Sequence, residues 1–340
     1  MTVSQFIFKV RFRLWEKLVT FSGKRWFYHY LYRSYWHYIL SKKKPVKNTT
    51  CYYTARPNPG AGIGHQLGNW ITGHWYAQLF DLKFAHLPFS TQRWEDFLGL
   101  GEGEVKVADL VKSGYKVRRL PWINDRNPQD IAFTKRIIES YAGKKVVFKS
   151  ESDQNTDDCG DVDLIKQKFS QAKAREKDQL IYSKENFNIA VHVRRTVVID
   201  GKTTIESKEA QALRWLGYEY YEKVLQRVID NIQVSQPISI YIFCTEKLEE
   251  FTKFSNYGTV QFCTDMDEYT SLLHLSRAKL LVISKSAFSY LAALVNDCIK
   301  ICPKSFWHDY PDGIQWILAD DNGDFNEHQL KQALAENLGN

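Results

Sequence analysis

The sequence predicts an α/β fold built on parallel, doubly wound sheets. In the second half of the chain, apolar runs such as "NIAVHV" (188–193) and "LLVIS" (280–284) alternate with amphipathic stretches such as "LGYEYYEKVLQRVIDNI" (216–232). The first half, from Cys51, contains a short strand, a glycine-rich turn, a helix and a second strand near 83–86. Strands that alternate with helical segments are typical of parallel sheets joined by crossovers.

The elements follow in order along the second half. Five strands are predicted at 187–195, 238–245, 259–264, 279–285 and 299–303. Helices are predicted between them at 216–232, 247–254, 266–278 and 286–297. In the first half, a helix is expected to run to about Phe80, and "KKVVFKS" (144–150) is expected to form a strand.

Changes in composition predict three regions. Residues 1–48 interleave basic and aromatic side chains, and residues 49–180 and 181–340 are expected to form two α/β domains. The polar stretch 151–180 places the junction between the two domains nearby. A chain of 340 residues is long enough for two domains of ordinary size.

Positive charge is concentrated at the beginning of the chain. The formal net charge is +7, but residues 1–48 contain eleven Lys or Arg and one acid, Glu16, so the rest is mildly acidic. Basic and aromatic residues that interleave suit the surface of an anionic membrane. The alternative is a pair of helices packed on the body with a basic face in water. An acidic body disfavours a nucleic-acid groove.

Other features concern the compartment. The six cysteines show no C-x-x-C pair, which favours free thiols in a reducing compartment, although Cys298 and Cys302 have the spacing of a possible bridge. No apolar stretch reaches transmembrane length, and Lys9, Arg11 and Arg13 interrupt the early apolar run that a signal peptide would need. We therefore expect a cytoplasmic protein that is peripheral to the inner face of a membrane.

The strand in "NIAVHVRRT" ends in three polar residues. Because side chains alternate along a strand, His192 and Arg194 share a face while Arg195 points the other way. Ligands of doubly wound sheets bind beyond the carboxyl ends of the strands, and a guanidinium grips phosphate oxygens in a bidentate manner. The pair predicts a phosphate site, with a salt bridge between domains or simple exposure to solvent as the alternatives.

A second segment, "LLVISKSAFSYLAALV", predicts the other half of this site. A strand ends near Ser284 and a helix begins near Ala287, so Ser284 and Ser286 lie in the turn between them. The start of a helix combines unpaired backbone N–H groups with the positive end of the dipole, which favours an anion. The alternative is that Ser286 only caps the helix, and the two roles are compatible.

These residues resemble a known family. "HVRRT" and "SKSAFSYLAALV", together with "GAGIGHQLGN" (60–69) and the ending "IKICPKSFWHDYPDGIQWI", are similar to motifs of the fucosyltransferase superfamily, which includes the α1,2-, α1,6- and protein O-fucosyltransferases. The motifs occur in the family's order. They do not distinguish between the branches.

The resemblance implies a GT-B fold, in which two Rossmann-like domains face each other across a cleft, with residues 49–180 as the N-terminal domain on the acceptor side and residues 181–340 as the C-terminal domain that binds the nucleotide sugar. It also implies inverting transfer from GDP-fucose without an essential metal. It assigns Arg194 to the β-phosphate, with Arg195 assisting or holding the loop and His192 near the ribose or diphosphate. It also assigns Asp265 to the guanine base. The alternative for "DMD" (265–267) is a metal-binding D-x-D.

The chain departs from the family pattern at one position. Where similar sequences continue the arginine motif with Asp, this chain has Val197. An acceptor hydroxyl needs a proton acceptor. The candidates for that role are His65, Asp200, Glu206 and Glu209, and for each acid the alternative is a solvated loop residue.

The glycine loop is assigned to the donor sugar or the acceptor. Gly62 and Gly64 allow close approach of the backbone to a ligand, and His65, Gln66 and Asn69 are expected to face that ligand. A dinucleotide fingerprint is the alternative reading of G-A-G-I-G. It is disfavoured because the following strand presents His86 where an acid is required.

The sequence therefore predicts a transferase of a sugar, preferably fucose from GDP-fucose, to a surface polysaccharide or a lipid-linked glycan. Two alternatives remain open, namely a nucleotide-sugar-binding protein that has lost catalysis, as Val197 suggests, and a transferase that uses another nucleotide sugar such as GDP-mannose or a UDP-sugar.

Overall fold

A computed structural model describes most of the chain. The described residues are 3–41, 50–58, 61–150, 161–195, 197–199, 202–204, 207–245, 249–306 and 309–338.

The helices and strands follow one another in the order that the second half of the sequence predicts. The α-helices are α1 (Val3–Ser22), α2 (Arg33–Leu40), α3 (Ile63–Leu79), α4 (Gln92–Leu98), α5 (Val107–Lys112), α6 (Pro128–Glu139), α7 (Val162–Gln171), α8 (Lys208–Arg214), α9 (Tyr218–Asn231), α10 (Glu268–Arg277), α11 (Ala287–Val295) and α12 (Glu327–Leu338). The strands are β1 (Tyr52–Tyr53), β2 (Lys83–Phe84), β3 (Lys116–Arg119), β4 (Val146–Lys149), β5 (Phe187–His192), β6 (Val197–Ile199), β7 (Lys202–Thr204), β8 (Ile238–Phe243), β9 (Thr259–Phe262), β10 (Leu280–Val282), β11 (Ile299–Pro303) and β12 (Trp316–Ala319). Short 3-10 helices span Tyr28–Leu31, Lys173–Lys177 and Glu249–Asn256.

The chain divides into two compact units, each with its own parallel sheet. The first unit contains residues 1–56, 72–87 and 104–153, and the second contains 57–71, 88–103 and 154–340. Two segments from the first half of the sequence, 57–71 and 88–103, thus pack with the C-terminal sheet. The predicted boundaries near residues 48 and 180 stay a prediction.

The second unit is built on a six-stranded sheet in the order β12-β11-β10-β5-β8-β9, with every pairing parallel. Strand β5 lies near the middle, between β10 and β8, and it is buried on both faces as its apolar run predicts. Apolar side chains of α9 and α12 pack on the sheet to form a continuous core. The predicted doubly wound α/β fold is confirmed.

Several elements of this unit were not predicted, including helices α4, α8 and α12. Strand β12 follows β11, so the sheet has six strands instead of five. A two-stranded antiparallel hairpin, β6–β7, follows the arginine motif. The segment expected to be a helix at 247–254 is a 3-10 helix from Glu249 to Asn256.

The first unit contains a four-stranded parallel sheet in the order β2-β1-β4-β3. Its core joins α3, α6 and the strands, and it includes Tyr53, Ile137 and Phe148. Helices α1 and α2 belong to this unit, where the Ser34 hydroxyl donates to the Arg119 carbonyl at 2.6 Å. Within the described residues, no helix is both long and apolar enough to span a membrane.

Candidate functional site

The end of strand β5 brings His192 next to the turn that follows β10. The imidazole Nδ1 lies 2.7 Å from the Ser284 hydroxyl, which is fully buried. Burial and the adjacent charge of Arg194 lower the pKa of His192 to about 3. The ring is therefore neutral at physiological pH, and it acts as a hydrogen-bonding group rather than as a cation.

Arg194 reaches the start of helix α11. Its Nη1 donates to the Ser286 hydroxyl at 3.0 Å, and the same hydroxyl caps the helix by accepting from the Phe288 N–H at 3.3 Å. The guanidinium is partly buried and lies at the positive end of the helix dipole. The guanidinium and the positive end of the helix dipole therefore lie side by side, and both would stabilise an anion bound there.

The turn between β10 and α11 is held from within by a third serine. The hydroxyl of Ser289, fully buried, lies within 3.3 Å of the carbonyl oxygens of Ser284 and Ser286 and of the Ser284 N–H. The Ser286 N–H is also engaged, since it donates to the Ser284 carbonyl at 2.7 Å. The turn is thus fixed before any ligand binds.

The glycine loop lies against the same helix start. A Cβ built on Gly64 would be 2.3 Å from the carbonyl oxygen of Ala287, the first residue of α11, whereas a Cβ on Gly62 would meet nothing within 4 Å. Gly64 is therefore required for the loop to approach the helix. Three motifs that are far apart in the sequence meet around Arg194, Ser286 and Gly64.

Arg195 points away from this cluster, as strand alternation predicts. Its Nη1 donates to the carbonyls of Arg194 at 2.8 Å and Leu216 at 3.2 Å, and its guanidinium lies 4.1 Å from the Tyr218 ring centre. The side chain is buried. Arg195 holds the strand end to the segment that begins α9, so its position fits the loop-holding role rather than contact with a ligand.

Two residues expected to face a ligand are buried supports of the glycine loop. The side-chain amide of Gln66 donates to the Ala61 carbonyl at 2.8 Å and the Ser90 hydroxyl at 2.9 Å, and its oxygen accepts from the Ser90 N–H. Asn69 accepts from the Asn58 N–H at 2.8 Å. His65, by contrast, is partly exposed in the first turn of α3, directly after Gly64.

The two acids of "DMD" have different positions. Asp267 caps α10 by accepting from the Thr270 N–H at 2.8 Å and pairs with Arg93 at 2.5 Å. Burial opposes ionisation of Asp267, but the hydrogen bonds from Thr270 and Arg93 outweigh it and lower the pKa of Asp267. Asp265 is exposed after the edge strand β9, two strands from β5.

Sequence reasoning missed two residues beside the site. Lys285, between the two serines, is buried and pairs with Asp321 at 2.8 Å. Tyr221 of α9 is fully buried, and burial raises its pKa against the opposing charges of Arg195 and Arg194. The amphipathic pattern of α9 is the signal that could have placed Tyr221 in the core. No local signal marks Lys285, because Asp321 is distant in sequence.

Several predicted residues lie outside the described part of the chain. Asp200 and Glu206 are among them, as is the side chain of Val197. Glu209 is described in the first turn of α8. It is exposed, and hydrogen bonds with its own backbone and with Ser207 lower its pKa, which makes it a weak proton acceptor.

A cleft of about 820 Å³ lies elsewhere in the second unit, lined by α4, the Lys173–Lys177 turn and α10. Its buried arginine, Arg175, packs between the rings of Phe97 and Phe169, donates to the Phe97 carbonyl at 3.0 Å and pairs with Asp178 at 3.5 Å. Arg175 thus connects α4 to the segment that follows α7. The chemistry at the end of β5, rather than volume, therefore defines the candidate site.

Structural comparison finds glycosyltransferases, including the fucosyltransferases that the motifs predicted. POFUT1 in complex with GDP is similar with a TM-score of 0.45 and 11% identity over 76% of this chain and 99% of that chain. A variant of Arabidopsis thaliana FUT1 in complex with GDP is similar with a TM-score of 0.41 and 10% identity, over 86% of this chain and 78% of that chain. Escherichia coli ADP-heptose lipopolysaccharide heptosyltransferase II is similar with a TM-score of 0.39 and 12% identity, over 85% of this chain and 98% of that chain. No protein-family model and no curated protein matches the sequence.

Proposed function

We propose that this chain is an inverting glycosyltransferase that binds a nucleotide sugar at the end of strand β5, with GDP-fucose as the preferred donor. The observation that carries the proposal is the Arg194–Ser286 pair at the start of α11, where the guanidinium and the helix dipole point to one anion. A diphosphate is the anion that the fork geometry of arginine and the adjacent hydroxyls suit.

Arg194 acts on the leaving group. As the bond from the sugar to the diphosphate breaks, negative charge grows on the β-phosphate and the sugar becomes oxocarbenium-like. A fixed cation at that phosphate stabilises the transition state more than the ground state. The preformed turn supports this role because Ser289 and Arg195 hold the surrounding backbone through hydrogen bonds to its carbonyls.

His65 is the proton acceptor in this proposal. It follows Gly64, which contacts Ala287 beside the Ser286 cap, so it is attached to the cluster through the backbone. It is also partly exposed, as a group that meets an acceptor hydroxyl must be. Glu209 is the weaker candidate because hydrogen bonds stabilise its ionised form. Asp200 stays a prediction.

Asp265 reads the base. Strands β5 and β9 are separated by β8, which places the ends of β5 and β9 about 10 Å apart at the usual strand spacing. The ribose and base of a nucleoside diphosphate span such a distance when the β-phosphate is at Arg194. An exposed carboxylate can then accept from the N1–H and 2-amino groups of guanine, which uracil lacks in that arrangement.

The proposal includes transfer without a metal ion, since Arg194 and the α11 dipole supply the positive charge. The acceptor is a glycan of a surface polysaccharide or a lipid-linked oligosaccharide. Because Val197 replaces an expected acid, a binding protein without turnover is the second candidate. Sugar transfer that continues in the presence of a chelator would support metal-independent transfer, and loss of transfer under the chelator would contradict it.

Calorimetry with GDP, UDP and ADP tests the donor site. We expect GDP to bind in preference to the other two, and Arg194→Ala to lose roughly 2 kcal/mol or more, as removal of a charge-assisted contact does. Arg194→Lys should recover part of the loss because the charge remains while the fork is absent. Lys331→Ala is the matched control, since it removes one exposed positive charge from α12.

The outcomes separate the candidates. GDP binding together with release of fucose from GDP-fucose supports the transferase. GDP binding without turnover, even in the presence of cell-extracted glycolipids as acceptors, favours the binding protein. If no nucleoside diphosphate binds, or if Arg194→Ala binds as well as the unchanged chain, the donor site is elsewhere and the proposal is wrong.

A further inference from the structure

Helix α1 is anchored to the first unit along one side. The Trp15 ring meets Tyr32 edge-on with ring centres 5.7 Å apart, and Arg119 lies 5.0 Å from the Trp15 ring centre. Arg56 lies 5.3 Å from the ring centre of Phe12. Ser22, seven residues or about two turns after Trp15, is buried on the same side, so Phe12, Trp15 and Ser22 define the inner face of the helix.

The opposite face of α1 exposes apolar side chains to solvent. The exposed fraction is 63% for Leu14 and 61% for Phe21. Other members of the same stripe are also exposed, namely Phe6, Ile7, Val10 and Leu18. At 100° per residue these six side chains occupy about a third of the helix circumference, opposite Phe12 and Trp15. We call these six residues the α1 outer face.

This arrangement is the reverse of one expectation from the sequence. Helices that merely pack on the body would bury their apolar residues and leave a basic face in water. Here the helix packs through one apolar side and presents a second one outward. Monomeric soluble proteins seldom expose contiguous apolar patches of this kind without a partner.

Basic residues border the α1 outer face. Arg11 and Arg13 flank it on its two sides, Lys17 lies within it, and Lys24 and Arg25 follow at its end, all of them exposed. Glu16, the acid among the first 48 residues, lies off the stripe by helical spacing. The positive charge and the apolar surface are therefore presented together.

The exposed aromatic surface continues beyond α1. Trp26 is 82% exposed, and its ring lies 5.7 Å from that of Tyr30, which stacks on Trp36 at 5.4 Å. Arg25 lies over the ring of Phe21 at 4.0 Å. Exposed tryptophan and tyrosine rings beside cations are typical of segments that lie at the headgroup level of a bilayer.

We propose that the α1 outer face docks on an anionic lipid surface, with the helix lying in the plane of the membrane. The six apolar side chains enter the boundary between headgroups and acyl chains, and Arg11, Arg13, Lys17, Lys24 and Arg25 contact the lipid phosphates. Charge complementarity selects this occupant. A partner helix or a second copy of this chain would meet the same five cations around its own apolar contact.

Sedimentation with vesicles tests the docking surface on the full chain. Vesicles of phosphatidylcholine containing phosphatidylglycerol should bind the protein, pure phosphatidylcholine vesicles should bind it weakly, and added salt should lower the binding. Leu14→Glu combined with Phe21→Glu should reduce partition about tenfold or more, because both side chains leave the acyl boundary. Leu213→Glu is the control, since Leu213 is a still more exposed leucine, at 76%, on α8 of the other unit.

Equal binding by the double variant and the unchanged chain would overturn the proposal, and so would binding that does not depend on anionic lipid. Analytical ultracentrifugation without vesicles gives the other decisive result: if the chain self-associates and the double variant does not, the surface is an interface between copies. Circular dichroism shows whether the variant is folded. None of these readouts uses GDP or sugar transfer, so the result is independent of the proposed enzyme activity.

Discussion

Two strand ends of the same sheet use polar residues in different ways. At the middle of the sheet, the end of β5 combines His192 and Arg194 with the serine turn before α11, and each side chain contacts another element. At the edge, the end of β9 contains Asp267, which caps the helix that follows it, and Asp265, which is exposed. A strand end with neighbours on both sides gathers groups from several motifs. The end of the edge strand caps its own following helix and adds one ion pair, between Asp267 and Arg93 of α4.

This difference follows from sheet topology. Strand β5 has β10 and β8 as neighbours, so the turn after β10 lies directly beside its carboxyl end, whereas β9 pairs with β8 alone. Parallel strands bring their carboxyl ends to one edge of the sheet, where several helix starts converge. The central position is therefore suited to a charged ligand.

The largest effect is expected from Arg194→Ala, which removes the positive side chain from the central end. Turnover of the nucleotide sugar should fall by about 10²–10³, the range seen when one transition-state donor is removed. Single-turnover kinetics with the unchanged chain as reference measure this loss. A decrease smaller than about threefold would show that the central end carries no catalytic charge.

The next largest effect is expected from Gly64→Ala, because the new Cβ would lie 2.3 Å from the Ala287 carbonyl oxygen and would push the glycine loop away from α11. We expect a loss of about 1–3 kcal/mol in unfolding free energy, as overpacking gives, together with weaker GDP binding. Gly62→Ala is the control because its Cβ meets nothing within 4 Å. Urea denaturation of both variants makes the comparison, and equal stabilities would contradict the contact.

Acid titration distinguishes the two strand ends by their pH ranges. The pKa of His192 is depressed to about 3, so only the unfolded chain binds its proton readily, and stability is lost as pH falls from about 6.5 towards 3. The total is about 5 kcal/mol, since one pKa unit corresponds to about 1.4 kcal/mol. Asp267, whose pKa is also lowered, contributes stability that is lost only below its ordinary pKa of 3.8.

Between pH 6.5 and 4.5, His192→Gln should therefore have a flatter dependence of unfolding free energy on pH than the unchanged chain, while Asp267→Ala should have the same slope. Chemical denaturation at several pH values measures both. Identical slopes for all three proteins would mean that His192 is not held neutral.

Asp265→Asn examines whether the edge end takes part in base recognition. Loss of a carboxylate that accepts from guanine should weaken GDP by about 1–2 kcal/mol and leave UDP unchanged, with no effect on stability because the side chain is exposed. Competition calorimetry of GDP against UDP gives the selectivity. An unaltered ratio of GDP to UDP affinity would mean that the nucleotide site involves the end of β5 and not Asp265.

The smallest effect is expected from Asp267→Ala. Loss of the α10 cap should cost about 1 kcal/mol of unfolding free energy, and the exposed pair with Arg93 adds little. GDP affinity should not change. Asp267→Asn serves as the control, because an asparagine retains capping ability while it removes the charge. A clear loss of GDP affinity in either variant would bring the edge end into the ligand site.

Much of this architecture follows from local patterns. The buried runs and amphipathic helices predicted the sheet of the second unit, and alternation along β5 placed Arg194 and Arg195 on opposite faces. Strand β12 was missed because "WILA" is four residues long and its register with β11 depends on distant pairing. The exposure of the α1 outer face was equally hidden, since a sequence does not show which apolar side of a helix finds a partner.

The glycine loop shows the same limit in the site. Its glycines were predicted to allow close approach of the backbone to a ligand, which stays a prediction; in the structure Gly64 lies against Ala287 of α11. Gln66 and Asn69 were expected to face a ligand and are buried, with hydrogen bonds inside the loop. Whether a polar side chain points inward depends on partners such as Ser90 and Asn58, which are not identifiable from the spacing of the motif. Lys285 and Asp321 were missed for the same reason.

The structural contacts of Arg195 affect which residues of such a motif persist during evolution. Its guanidinium satisfies two carbonyls and stacks on Tyr218, so selection for folding alone would retain it. His192 and Ser284 are likewise tied to each other. A related chain that binds no ligand at this site could therefore keep His192 and Arg195 while the residue at position 194 varies. Among related chains, an arginine at the position of Arg194 would therefore indicate a ligand site, whereas the other residues of the motif would indicate only a shared fold.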